Sequence, residues 1–128
     1  MKFSAPQINL YSKDLGRTVA FYEGLGFIES FRTPQTDAPD HVELKLDGFT
    51  LGIATLAAAR DHHGLEPSMG HSIEIVLQTD SPDEAVAALT AKGATLLAPP
   101  HDFLNGQLRA AWVADPDGNP VQLYRFKG

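Results

Sequence analysis

The chain carries the same series of secondary-structure signals twice, and this internal repeat constrains its fold more than any other feature. The positions that match at an offset of 67 residues are Ile8 and Ile75, Val19 and Val86, and Gly26 and Gly93. The turn dipeptide Asp47-Gly48 matches Asp117-Gly118 at an offset of 70 residues. A repeated order with repeated spacing predicts two copies of one folding unit.

The first copy predicts the order strand, helix, strand, strand, strand. Ser12 and Asp14 offer N-cap oxygens before a helix that ends near Gly24. Asp47-Gly48 is a dipeptide that two-residue hairpin turns favour, because glycine accepts a positive φ. The predicted strands are 7–11, 26–32, 41–46 and 49–54.

The second copy predicts the same order of elements. Its helix begins at Ser81-Pro82, with proline in the first turn, and ends at Gly93. We expect Pro99-Pro100 to end a short strand, which leaves Phe103 in a loop. The predicted strands are 72–79, 94–97, 108–114 and 119–126.

These signals predict one α+β domain over residues 1–128, built from two βαβββ modules. The expected bounds are about 5–55 for module one, 56–70 for a linker and about 71–126 for module two. The linker is predicted because this polar stretch has no clear strand period. Its His62 and His63, with His71 beside them, are interpreted as solvent-exposed.

Two segments of the chain resemble a known family. Residues 13–27 contain Lys-Asp-Leu, Ala-Phe-Tyr and Leu-Gly-Phe, and residues 114–123 read Ala-Asp-Pro-Asp-Gly-Asn-Pro-Val-Gln-Leu. They are similar to the opening "DL..a..FY...LGF" and the close "DPdGn..eL" of the vicinal oxygen chelate superfamily, also called the glyoxalase/bleomycin-resistance/dioxygenase superfamily. The resemblance implies a cupped mixed sheet with helices on its convex face, and a homodimer. The fold alone does not select among its many activities.

The resemblance also implies four metal-ligand positions, which fall on Gln7, Gly52, Glu74 and Gln122. Only Glu74 is anionic there, no histidine is present, and Gly52 has no side chain. Transition metals prefer imidazole, thiolate or several carboxylates. We therefore interpret the four positions as vestigial and predict no cofactor. The alternative is a divalent metal site to which Glu43, opposite Gly52 across the predicted turn, contributes.

Strand alternation separates an apolar face from a polar and aromatic one, and the latter suits a ligand. The candidate ligand-contacting residues are Gln7, Asn9, Tyr11, Glu43, Glu74, Phe103, Gln122 and Tyr124. No clean alternation surrounds Trp112, so it can face either the core or the ligand, and the core is the interpretation that we prefer. We expect Arg32 and Arg109 to pair with surface carboxylates, the commoner fate of such arginines.

Composition excludes several classes of protein. The chain has no cysteine, which rules out disulfides, thiolate metal sites and a cysteine nucleophile. A formal net charge of −6 disfavours a nucleic-acid partner, and no apolar run suggests a membrane span or a secretory signal. We expect a cytoplasmic protein.

Together these observations predict a metal-independent protein that sequesters a small organic ligand, cationic or antibiotic-like. The main alternative is a divergent enzyme, a glyoxalase-type lyase or isomerase or a dioxygenase-like protein with an atypical metal site. Glu74 would be the catalytic general base of such an enzyme. A third alternative is a partner-binding domain whose cup is vestigial.

Overall fold

A computed structural model describes residue 2 and residues 4–67 and 73–127. The chain divides into two compact units, Met1–Met69 (unit 1) and Gly70–Gly128 (unit 2). Each unit contains one four-stranded mixed sheet. The predicted α+β class and the two βαβββ modules are confirmed.

The described residues of unit 1 form four strands and two helices. Its elements are β1 (Ile8–Ser12), α1 (Leu15–Gly24), β2 (Ile28–Thr33), β3 (His41–Leu46), β4 (Phe49–Thr55) and α2 (Leu56–His63). The sheet order is β1-β4-β3-β2, with β1 parallel to β4 and the other pairs antiparallel. Asp14 caps α1 by accepting a hydrogen bond from the backbone N–H of Arg17.

Alternation along the strands of unit 1 sends apolar side chains to one face of the sheet. The buried strand residues are Leu10, Val42, Leu44, Leu51 and Ile53. Helix α1 packs on β3 and β4, and its Tyr22 is the largest fully buried side chain. We call the opposite face of each sheet, which carries polar and aromatic side chains, its polar face.

Residues 56–63 form a helix, α2, where the sequence analysis predicted a linker. The side chain of Thr55 caps its start, and Gly64 ends it in the left-handed conformation at φ 65°. Ala58 and Ala59 are buried, and α2 packs on β1 and β4. Alanine has a high helix propensity, but its small side chain adds little to a hydrophobic pattern. A short helix whose buried residues are alanines therefore shows no clear helical period in the sequence. His62 and His63 are exposed, as interpreted, while His71 lies outside the described residues.

Over residues 73–127, unit 2 forms four strands and one helix. Its elements are β5 (Ile75–Gln78), α3 (Pro82–Ala91), β6 (Thr95–Phe103), β7 (Leu108–Ala114) and β8 (Pro120–Phe126). The sheet order is β5-β8-β7-β6, with β5 parallel to β8. Ser81 caps α3, and Pro82 stands in its first turn as predicted. Across the described ranges, the structure contains no helix with the length and hydropathy of a transmembrane span.

Strand β6 continues through Pro99-Pro100 to Phe103, so the prediction that these prolines end it was wrong. Proline is tolerated here because β6 is an edge strand, where a missing N–H costs no inner ladder bond. Its pairing with β7 also shifts register on either side of Ala98. Phe103 is therefore the last residue of a strand and not part of a loop.

Candidate ligand-binding faces

The polar face of unit 1 carries a hydrogen-bonded group of four side chains, Gln7, Asn9, His41 and Glu43, which we call the unit 1 polar cluster. Gln7 Nε2 donates to Asn9 Oδ1 at 2.8 Å and to Glu43 Oε2 at 3.3 Å. His41 Nε2 lies 3.0 Å from the same Glu43 oxygen. Three of the predicted ligand-contacting residues, Gln7, Asn9 and Glu43, are thus brought together.

Strand register and one glycine assemble this cluster. Asn9 on β1 and Glu43 on β3 both pair with Gly52 on the β4 strand between them. A β-carbon at position 52 would lie far inside van der Waals contact of Asn9 Oδ1 and 3.1 Å from His41 Cε1. Only a glycine therefore lets the side chain of Asn9 lie over β4.

The carboxylate of Glu43 is held in its ionised form. The hydrogen bond from His41 is the largest cause that lowers its pKa, and the bond from Gln7 adds to it. The side chains of His41 and Glu43 are 22% and 26% exposed. Phe31 on β2 pairs with Glu43, and its ring centroid lies 6.4 Å from that of His41. The cluster is therefore a partly shielded anion beside an aromatic ring.

The polar face of unit 2 carries three neighbouring rings, His101, Phe103 and Trp112, which we call the aromatic cluster. The rings of His101 and Trp112 are stacked, with centroids 5.7 Å apart and planes at 22°. The Phe103 centroid lies 5.9 Å from that of His101 and 6.3 Å from that of Trp112. Together they form an aromatic surface on the edge strand β6 and its neighbour β7.

Glu74 places a carboxylate beside the aromatic cluster. The indole Nε1 of Trp112 donates a hydrogen bond to Glu74 Oε1. Gln122 on β8 pairs with Trp112 on one side and with Val76 of β5 on the other, so all three share the polar face. Glu74, Phe103 and Gln122, all predicted contacts, therefore lie around Trp112.

Trp112 is half-buried on the polar face, so its predicted place in the core was wrong. Its neighbours hide the strand period, because Ala110 and Ala111 are both fully buried. The pairing of β7 with β8 reveals the face, since Trp112 lies opposite Gln122.

Two histidines of these clusters, His41 and His101, were not among the predicted ligand-contacting residues. His41 stands two residues before Glu43 on one strand, and that spacing is a signal for a shared face. His101 lies on the part of β6 beyond the two prolines, where no strand was predicted.

The tyrosines occupy the same faces at the next register positions. Tyr11 is half-buried and pairs with Ala54, which in turn pairs with His41. Tyr124 is half-buried and pairs with Gln78 and Ala110. Each tyrosine is therefore on the face predicted for it.

The sequence model of the Glyoxalase/Bleomycin resistance protein/Dioxygenase superfamily matches residues 4–123. The chain belongs to this superfamily. No curated protein matches it significantly.

Several solved structures share the fold of this chain. A superfamily member from Sphaerobacter thermophilus is 27% identical with a TM-score of 0.71, covering 96% of this chain and 98% of that one. A family enzyme from Burkholderia phytofirmans is 21% identical with a TM-score of 0.77, covering 92% and 94%. A hypothetical protein from S. aureus is 19% identical with a TM-score of 0.79, covering 98% and 95%.

The four positions that correspond to superfamily metal ligands do not fit a transition metal in this chain. In unit 1, Gly52 brings no side chain, and Asn9 fills the space above it. In unit 2, Glu74 already accepts a hydrogen bond from Trp112, and Gln122 is a neutral amide. One carboxylate and two amides are a weak donor set for such metals. No group of three metal-ligating side chains occurs within the described ranges.

The two candidate arginines make surface ion pairs, as expected. Arg109 contacts Asp83 through Nε at 2.7 Å and Nη2 at 2.8 Å, and Asp102 through Nη1 at 3.1 Å. Arg32 forms a bidentate pair with Glu29. Neither arginine therefore belongs to the polar cluster or the aromatic cluster.

Proposed function

We propose that the protein binds a small aromatic cation on the polar face of unit 2, without a metal. The observation that carries the proposal is the position of the Glu74 carboxylate, which the indole of Trp112 holds beside the aromatic cluster. An aromatic surface next to one carboxylate matches a flat ligand with positive charge.

The physical basis is the combination of stacking and charge. A cation over an aromatic ring is stabilised by about 0.5–2 kcal/mol, with tryptophan the most favourable ring. Glu74 adds a direct electrostatic attraction, and the net charge of −6 favours the approach of cations. A neutral analogue of the same shape keeps only the stacking.

The biological role that fits such a site is sequestration of the ligand. Membership of a superfamily whose description includes bleomycin resistance proteins supports this role. An antibiotic-like ligand, a homodimer and a cytoplasmic location stay predictions. The enzymatic alternative, with Glu74 as general base, also stays a prediction.

Isothermal titration calorimetry with three matched ligands tests the proposal. The cation is N-methylquinolinium, its neutral analogue at pH 8 is quinoline, and the anion of similar shape is 2-naphthoate. Cationic aromatic antibiotics are added to this panel. We expect micromolar binding of at least one cation and at least tenfold weaker binding of the neutral and anionic analogues. Binding of no cation more tightly than millimolar would overturn the proposal.

Two variants locate the binding on the polar face of unit 2. Glu74→Gln should weaken the cation at least tenfold and leave the neutral analogue unchanged. Glu84→Gln, on the exposed surface of α3, removes the same charge away from the polar face and is the matched control, which should change neither affinity. Trp112 is the only tryptophan, so quenching of its fluorescence reports occupancy directly.

A further inference from the structure

We propose a second binding site on the polar face of unit 1, in which the unit 1 polar cluster recognises a guanidinium or amidinium group. This site does not depend on the function proposed for unit 2, because none of its residues belongs to that unit. The polar atoms of the cluster that have no partner within it define the kind of ligand that fits.

The hydrogen bonds within the cluster use most of its donors. Gln7 Nε2 directs its hydrogens at Asn9 Oδ1 and Glu43 Oε2. His41 Nε2 carries the proton that it shares with Glu43 Oε2, because an ionised carboxylate only accepts. Across the described ranges, the atoms without a further hydrogen bond are Glu43 Oε1, Gln7 Oε1, His41 Nδ1 and Asn9 Nδ2.

Two of these four atoms, Glu43 Oε1 and Gln7 Oε1, can only accept hydrogen bonds, and the first belongs to the charged carboxylate. Such a set requires a ligand that offers several N–H groups together with a positive charge. Guanidinium and amidinium groups meet both conditions, because their planar N–H forks carry a positive charge and donate two parallel bonds, here one to Glu43 Oε1 and one to Gln7 Oε1. An ammonium group offers its hydrogens in a tetrahedral array and suits the planar set less well.

Phe31 supplies a surface on which such a planar cation can stack. It is 46% exposed and pairs across the sheet with Glu43, so its ring stands beside the carboxylate. Guanidinium groups stack on aromatic faces more readily than ammonium groups do. Phe31 therefore explains the planar preference independently of the hydrogen bonds.

Gly52 and Asn9 hold the cluster ready for a ligand. Because Gly52 has no side chain, the Asn9 amide lies over β4 and accepts one hydrogen of Gln7. With both hydrogens of Gln7 Nε2 donated within the cluster, the carbonyl oxygen of Gln7 is left free to accept. The acceptors are thus oriented before a ligand arrives, which lowers the entropic cost of binding.

Nuclear magnetic resonance titrations of the full chain labelled with nitrogen-15 test the proposal. The probes are benzamidine, benzylamine and benzamide, which carry an amidinium, an ammonium and a neutral amide on one ring. We expect benzamidine to shift the signals of Gly52, Glu43 and the His41 ring, with affinity at least fivefold above benzylamine and tenfold above benzamide. Equal affinity for benzamidine and benzamide would overturn the proposal, and equal affinity for benzylamine would overturn the planar preference.

The signal of the Trp112 indole separates this site from the one proposed in unit 2. Shifts confined to Trp112 and its neighbours would overturn the second site and leave the proposed function standing. Shifts confined to the unit 1 polar cluster would support the second site, and the titration with N-methylquinolinium then decides the proposed function by itself.

A charge-matched pair of variants completes the test. Glu43→Gln should weaken benzamidine at least tenfold, because the only charged acceptor is lost. Glu23→Gln, on the exposed surface of α1, makes the same change in net charge and should leave the affinity unchanged. The dispersion of the amide signals shows whether each variant is folded, and equal loss in both folded variants would contradict a local site.

Discussion

The side-chain oxygen of Asn9 occupies the space directly above Gly52, where a β-carbon at position 52 would have to lie. The two residues are strand partners in the parallel pair of β1 and β4, so neither can change without affecting the other. Position 52 corresponds to a metal-ligand position of the superfamily. In this chain it is a glycine, and the space of the missing side chain is filled by the amide of Asn9.

Replacing Gly52 by alanine should destabilise the protein. The new methyl group would displace Asn9, and overpacking of this kind costs about 1–3 kcal/mol in the free energy of unfolding. Asn9→Ala in the same chain removes the obstacle, so the loss in the double variant should be clearly smaller than the sum of the single losses. Urea denaturation of the four proteins measures this coupling.

Gly24→Ala is the matched control for that cycle. Gly24 is the last residue of α1, and no atom lies within 4 Å of a β-carbon built there. Because alanine favours helix over glycine, this variant should be as stable as the wild type or more so. Additive losses at Gly52 and Asn9 would show that the two side chains do not compete for space.

The fold could be predicted from the sequence because its signals are local and repeated. Alternating residues, Asp14 as a cap and the turn at Asp47-Gly48 act over a few positions each. The site was harder to predict because it depends on pairing between strands. The face of Trp112 follows only from its pairing with Gln122 on β8. The face of His101 follows only from the continuation of β6 beyond Pro99-Pro100.

Asp115 should be among the residues most important for the stability of unit 2. It is 3% exposed, and its carboxylate accepts from the backbone N–H groups of Asp117 and Asn119 and from Asn119 Nδ2. Asp115→Ala leaves these donors without their partner, and each unsatisfied buried donor costs about 1–3 kcal/mol. We expect a loss of about 2–4 kcal/mol in urea denaturation.

Asp115→Asn distinguishes the acceptor role from the charge. Its amide oxygen still accepts the two backbone bonds, so the variant should recover part of the loss. Asp80→Ala, an exposed aspartate before α3, should be nearly neutral. A neutral Asp115→Ala would mean that the turn does not need its buried carboxylate.

The ion pairs of Arg109 should make the stability of the protein depend on pH. The hydrogen bond from Arg109 is the largest cause that lowers the pKa of Asp83, and bonds from Lys127 and Arg109 lower that of Asp102. A lowered native pKa gives stability that is fully present above the ordinary aspartate pKa of 3.8 and lost as the pH falls through the lowered values. The stability difference between wild type and Arg109→Gln should therefore be constant near neutral pH and shrink in acid.

Urea denaturation at several pH values and at two salt concentrations measures this difference. High salt should reduce it at neutral pH as well, because these charges are exposed to solvent. Arg17→Gln is the control, since Arg17 makes no ion pair within the described ranges. A difference that persists unchanged in acid would show that Arg109 acts through packing and not through charge.

Removal of metal should leave ligand binding unchanged. Gly52 and Gln122 bring no negative charge to the positions of superfamily ligands, and the remaining carboxylate of Glu74 is engaged with Trp112. Elemental analysis of protein purified without chelator should therefore find no stoichiometric transition metal. Glu74→Ala should weaken an aromatic cation without changing the metal content, because Glu74 acts on the ligand itself. A stoichiometric ion that Glu74→Ala displaces would reverse this interpretation and assign Glu74 to a metal centre.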